Sequence, residues 1–298
     1  GKKATTSEIC EINNTECTDD TCNNKTYTHP AFTFGDKELT GIWVGKFENS
    51  SDITCTVTRD AAVNQEGTCN VDTIRPLIKP NATSWRGAMV SVFSNNMMAM
   101  NDSNNKYGFA STDDTHMIKN MEWGAVAYLS HSKYGTCDGE DKTCSEVEMN
   151  AYYTTQNKYA TGCGPKTLGS DDYYTTDCTA YDTNLGKLAS TTGNIYGVYD
   201  MSGGAAEEIA SYVNNSNAST YGVNIVNGAL RNKQIYDIGS SDSRESNYNA
   251  NTDVYGDAVY ETSTSYSGVT SWCGDNSNFP FLSNPFFIDS IVATCQCF

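Results

Sequence analysis

Twelve cysteines in 298 residues constrain this chain more than any other feature. They stand at Cys10, Cys17, Cys22, Cys55, Cys69, Cys137, Cys144, Cys163, Cys178, Cys273, Cys295 and Cys297. The number is even, no C-x-x-C pair occurs, and only three histidines are present to complete a zinc site. Cys295 and Cys297 are also too close together for a zinc knuckle. The pattern therefore reads as a disulfide framework, and disulfides persist in an oxidising compartment. Bridges between neighbours close short loops, so Cys55–Cys69, Cys137–Cys144 and Cys163–Cys178 are the expected pairs. Residues 291–298 alternate like a strand, which puts Cys295 and Cys297 on one face. Each then needs its own partner, such as Cys273 or one of Cys10, Cys17 and Cys22.

The polar content agrees with an extracellular or cell-surface location. Charged residues make up 18% of the chain, and its polar surface comes from Ser, Thr, Asn, Gly and 19 tyrosines. The net charge is −17, so a nucleic-acid backbone or an anionic membrane surface would repel it. No apolar run is long enough to span a membrane. The chain begins at Gly1-Lys2-Lys3 without a signal peptide and reads as a processed or trimmed product. Sequons at Asn13, Asn24, Asn49, Asn81, Asn101, Asn214 and Asn217 are what an Asn- and Thr-rich chain produces by chance.

Residues 1–30 read as a disulfide-stapled N-terminal extension, and 31–298 as a single domain. Leu39 to Glu48 is a strand signal, and residues 50–75 a hairpin excursion closed by Cys55 and Cys69. A first helix is expected from a Thr83 or Ser84 cap through Ala88, Met89, Val92 and Phe93. A second has Thr112–Asp114 as cap, Met117, Met121, Ala125 and Leu129 on one face, and Tyr134-Gly135 as its stop. Residues 136–190 lack a continuous apolar face and read as a loop-rich insertion. Asn194 to Gly204 reads as a short strand entering a glycine turn, and 211–285 as short strand-like pieces, Asp257–Thr262 among them.

Gly197-Val198-Tyr199-Asp200-Met201-Ser202-Gly203-Gly204-Ala205-Ala206-Glu207 resembles the G-L-Y-D-M-S-G-N-V-W-E-W signature of formylglycine-generating-enzyme (sulfatase-modifying factor) domains. Phe34 to Glu48, including Trp43 to Glu48, is similar to that family's early strand, and Ser84-Trp85-Arg86-Gly87-Ala88 to the start of its first helix. Met117 to Gly135 and Ala189 to Gly197 look like segments of gut Firmicutes prepilin-type surface proteins that carry this domain. The resemblance implies an α+β fold of the C-type-lectin type. It would have two helices, short twisted antiparallel strands and long disulfide-stapled loops. Two departures stand out. Ala206 replaces the motif's tryptophan, and Asp289-Ser290 follows Ile288 where the family has Arg-Gly-Gly.

The resemblance also implies chemistry to weigh. Enzymes of this family use paired reactive cysteines near the C-terminus, where Cys273, Cys295 and Cys297 stand. A reactive thiolate needs a cationic setting. This region offers Asp275 and Asp289, and no Lys or Arg follows Arg244. Disulfides are therefore the better reading, and no catalytic residue is expected. Ser130 and His131 are adjacent on a helix and diverge, no G-x-S-x-G elbow is present, and His29 and His116 read as turn and helix-end residues. The fold type often carries calcium, for which Asp200 and Glu207 beside the glycine turn are candidates, against a purely structural role for both. Tyr266, Trp272, Asp275, Asn276, Asn278 and Phe279 combine aromatic anchors with adaptable polar neighbours, as recognition loops do. The expected function is a non-enzymatic extracellular surface or pilus-associated binding protein. Its partner would be a host, cell-surface or self-assembly protein, or a glycan. The alternatives are a structural subunit of an extracellular filament and a copper-dependent formylglycine-generating-type oxidase.

Overall fold

The computed structural model describes residues 29–55, 68–130, 132, 134–138, 143–144, 147–150, 152, 159–168, 176–205, 207–214, 218–241, 246, 249–251 and 291–293. The architecture is a mixture of α-helices and small two-stranded ladders with two disulfides, an α+β arrangement. No helix among the described residues is long and apolar enough to cross a membrane. Residues 1–28, including Cys10, Cys17 and Cys22, lie outside the description. So do His131, the expected strand at 257–262, and Cys273, Cys295 and Cys297.

Cys55 and Cys69 are bonded, as are Cys163 and Cys178, each pair with Cα atoms 5.2 Å apart. The first bond closes the expected excursion. Its stem is the antiparallel pair β3 (Ser50–Ser51) and β4 (Pro76–Leu77). Cys137 in β5 (Cys137–Asp138) lies opposite Cys144 in β6 (Thr143–Cys144), the cross-strand register that the proposed third pair needs, and β7 (Cys163–Gly164) pairs antiparallel with β8 (Thr179–Ala180) beside the second disulfide. An N-terminal hairpin joins β1 (Thr33–Phe34) to β2 (Lys37–Glu38). Before it, a 3-10 turn at Pro30–Phe32 is capped by His29, whose Nδ1 accepts from the Ala31 N–H at 3.2 Å.

Helix α1 runs over Val90–Met98, later than the expected start at Thr83 or Ser84. Those two residues are engaged in bridges to other chain segments, Ser84 to Ser50 and Thr83 to Ala160. Asn70 takes over at the helix start, where its Oδ1 accepts the Met89 N–H at 2.9 Å. Helix α2 runs over Asn120–Leu129 and also starts late. Glu122, in its first turn, reaches back to accept the Lys119 N–H at 2.9 Å, which is half of a capping box. The helix stops at Leu129 rather than at Tyr134-Gly135, because Ser130 and Ser132 donate to the carbonyls of Ala127 and Leu129.

A third helix, α3 (Ala218–Asn227), lies in the stretch expected to form only short strands. It crosses between β10 (Ser211–Val213) and β11 (Gln234–Tyr236), which pair in parallel. That corrects the expectation of antiparallel strands throughout. A parallel pair needs a long crossover, and α3 supplies it. Gly222 departs from helical geometry where α3 faces α1; a Cβ there would meet Val90 Cγ1 at 3.8 Å, an ordinary contact. Ile225, Val90, Trp85, Met97, Tyr212 and Cys69 share the main core.

The segment 39–48 is not a strand. It runs irregularly with Trp43 fully exposed and Phe47 buried, and no ladder partner pairs with it among the described residues. The expected strand at 194–201 is likewise a succession of turns. By contrast, β12 (Ile291–Ala293) forms where alternation placed a strand, antiparallel to β9 (Glu207–Ile209). Residues 159–164, within the stretch read as an insertion, pass through the interior. There Thr161 and Cys163 are fully buried, and Thr161 O accepts the Asn81 N–H at 2.7 Å.

Candidate functional site at a buried carboxylate junction

Asp200 organises the site. It has a positive φ of 66°, a region in which Asp is more tolerated than most residues, and it is almost fully buried. The turn directs its carboxylate toward donors from three other segments. Oδ1 accepts from Asn150 Nδ2 at 2.8 Å and from the Gly162 N–H at 2.8 Å. Oδ2 accepts from the Glu48 N–H at 3.1 Å and from Gly162 at 2.9 Å. Asn150 is locked on its other side, where Nδ2 also donates to Ala160 O at 2.8 Å. The main chain repeats the contact: Asn150 N donates to Ser202 O and Gly204 N to Asn150 O, each at 2.9 Å.

Gly203 is required by that approach. Its φ is +74°, and a Cβ would fall 2.3 Å from Met149 Cγ and 2.4 Å from Asn150 O. Gly204 shares the positive φ but has room; a Cβ there would come no closer than 3.5 Å, to Glu48 Oε2. Tyr199, just before the turn, is buried against Phe47 and Tyr181, and Lys46 Nζ sits 4.7 Å from the Tyr181 ring centroid.

Two more carboxyls converge. Glu48 Oε2 accepts from Ser84 Oγ at 2.8 Å, and Glu207 Oε2 accepts from the indole N–H of Trp123 on α2. Burial dominates all three acids. It raises Asp200 to about 6, against the lowering effect of its N–H donors. It raises Glu207 to about 8, with the Trp123 bond opposing and the charge of Asp200 adding. Glu48 is pushed well above the usual carboxylate range by burial, then by Asp200 and Glu207. Glu48 and Glu207 are half-buried as residues, and their carboxyl groups are enclosed. Burial and mutual repulsion keep these carboxyls protonated to higher pH than in water: Glu207, at about 8, holds its proton at neutral pH, whereas Asp200, at about 6, has lost most of its own.

This donor set does not suit calcium. Both oxygens of Asp200 face N–H groups, whereas a hard cation needs free oxygen ligands. Glu207 faces an indole N–H. No group of three His, Cys, Asp or Glu side chains among the described residues is placed to hold a metal ion. The arrangement serves instead as a tertiary clasp that fastens residues 48, 84, 123, 150 and 162 to the 197–207 turn. Of its members, Asp200 and Glu207 were singled out in the sequence. Glu48, Trp123 and Asn150 were not assigned roles there, and Ser84 was read only as a helix cap. The proposed ligand-binding set Tyr266, Trp272, Asp275, Asn276, Asn278 and Phe279 lies outside the described residues.

No protein-family model, curated protein or solved structure matches the chain.

Proposed function

We propose that the chain is a non-catalytic extracellular surface or pilus-associated binding protein, built on the formylglycine-generating-enzyme-like variant of the C-type-lectin fold. The observation that carries the binding reading is Trp43, which stands fully exposed in the irregular segment before Phe47. An aromatic side chain of this size can remove about 150–250 Å² from water, so leaving it uncovered forgoes about 4–6 kcal/mol that a partner surface could supply. Tryptophan is also the residue type most enriched among interface hot spots. The two local disulfides fit an oxidising environment. The polar groups of the glycine turn are occupied with each other, as in a structural clasp.

A printed glycan array and a panel of immobilised extracellular-matrix proteins test the reading. The native chain is expected to bind at least one component, and Trp43→Ala to weaken that binding tenfold or more while leaving the melting temperature in place. A chain that retains no component of either panel removes the recognition role.

A further inference from the structure

His116 sits between two carboxylates. Its Nδ1 lies 2.6 Å from Asp114 Oδ1, and its Nε2 lies 3.2 Å from both carboxylate oxygens of Glu122. Carboxylates only accept, so each ring nitrogen must present an N–H. A neutral imidazole has one N–H; only the imidazolium has two. In the neutral ring, a nitrogen lone pair would point at a carboxylate in a pocket where the His116 side chain is 17% exposed.

The ring also holds a separate piece of chain. Phe34 of β1 packs on it at 5.4 Å between centroids and 31° between planes. Lys119 Nζ stands 5.1 Å and Arg231 Cζ 5.8 Å from the centre of the same Phe34 ring. Phe34 thus faces three cationic groups when His116 is charged. The 3-10 turn before it packs on α2 with Ala31 buried, and the hairpin that follows is short. The β1–β2 ladder is two residues long on each side, and Lys37 and Glu38 of β2 are exposed.

Asp114 comes from the same segment as His116 and also receives Arg231 Nε at 3.3 Å from the turn at Leu230–Asn232. Glu122 comes from α2 and also pairs with Lys119 Nζ at 3.0 Å. Lys119 Nζ in turn donates to Arg231 O at 2.8 Å. The two carboxylates therefore keep cationic partners after His116 loses its proton. The junction would persist while its grip on Phe34 weakens.

We propose that His116 is a pH-sensitive latch: as imidazolium it fastens the β1–β2 hairpin to the N-terminal end of α2 through Phe34, and its deprotonation loosens the hairpin locally. Burial alone would lower the pKa of His116, but the hydrogen bond and charge of Glu122, with Asp114, override it and raise the pKa. The direction of release follows. A raised pKa means that the latch is fully closed below the ordinary histidine range and is lost as pH rises through the raised value. This device is independent of any ligand of the exposed Trp43 face.

The test is a pH titration of the intact oxidised chain by two NMR readouts. Long-range 1H–15N spectra report the protonation of both ring nitrogens of His116. Amide-exchange protection over residues 33–38, corrected for intrinsic base catalysis, reports the hairpin. The expected result is a doubly protonated ring at pH 6.5 and a single midpoint above 6.5. Hairpin protection should fall about five- to tenfold through the same midpoint, the size of one lost cation–π contact. His116→Gln should abolish the step. Asp114→Asn, which leaves the ring in place, should move the midpoint to lower pH and move the hairpin step with it. A neutral His116 at pH 6.5, a hairpin step that ignores the His116 midpoint, or a hairpin step unmoved in Asp114→Asn would overturn the proposal.

Discussion

Asp200→Asn separates the two forces that meet at the glycine turn. In the native turn both oxygens accept, from Asn150 and Gly162 on one side and from Glu48 and Gly162 on the other. An asparagine has one oxygen, so its NH2 must face donors on one side. An unsatisfied buried donor costs about 1–3 kcal/mol. Against this, the substitution removes a buried charge that its surroundings disfavour. Raising Asp200 from 3.8 to about 6 corresponds to about 3 kcal/mol once the pH is above both values. The sign follows from linkage: native stability from this group is complete below the unfolded value of 3.8 and is lost as pH rises through about 6. The mutant lacks that loss. Its deficit should be about 1–3 kcal/mol near pH 4.5 and should shrink toward zero by pH 8. Urea unfolding followed by tryptophan fluorescence at pH 4.5, 6 and 8, with disulfides intact, measures the gap. A deficit that widens with pH would mean that the N–H donors outweigh burial, and the reading of the junction as a proton-holding cluster would be wrong.

Two further outcomes follow from geometry. Gly203→Ala should destabilise by at least 2 kcal/mol (roughly the positive-φ cost plus overpacking), while Gly204→Ala should lose only about 1 kcal/mol, because its Cβ has space; thermal melts compare them directly. Removing the Cys55–Cys69 or the Cys163–Cys178 bond by paired Cys→Ser substitution should cost about 3 kcal/mol each, since the closed loops are 14 and 15 residues long, and denaturant midpoints read the loss.

Local features of the fold were legible in the sequence, and features that join distant segments were not. The pairs Cys55–Cys69 and Cys163–Cys178 follow from spacing alone. The β12 strand follows from alternation, and the turn at Gly203-Gly204 from its paired glycines. The clasp was half visible. Asp200 and Glu207 flank the turn, but Glu48 meets Asp200 across 152 residues and Trp123 meets Glu207 across 84. No periodicity reports such a contact. Helix α3 was hidden by its composition, since Thr220, Val223, Ile225 and Val226 are β-branched and Gly222, Asn224 and Asn227 are weak helix formers; its packing on α1 and β10 overrides that preference. Leu39 to Glu48 has the residues of a strand, yet its backbone pairs with none of the described ladders, and strand propensity without a partner does not make a strand.

Helix α2 joins the two acidic junctions and gives them a common pH window. Neighbouring residues on it face opposite ways: Glu122 accepts from His116 and Lys119, and Trp123 donates to Glu207. The upper edge of the window comes from groups with raised values. Asp200 loses its contribution as pH rises through about 6 and Glu207 through about 8, and His116 loses its own at a raised midpoint. The lower edge comes from Glu122. Burial would raise it, but His116 and Lys119 hold it below 4.5, so its contribution is present above 4.5 and is lost as pH falls through the depressed value. Between these edges burial sets the state of Asp200 and Glu207 against their N–H donors, while charged partners set that of His116 and Glu122 against burial. The raised acids contribute fully only below their unfolded values of 3.8 and 4.5, and Glu122 fully only above 4.5, so the chain should be most stable in acid, at about pH 4 to 4.5. A stability profile that peaks above pH 8 would mean that neither junction controls the fold.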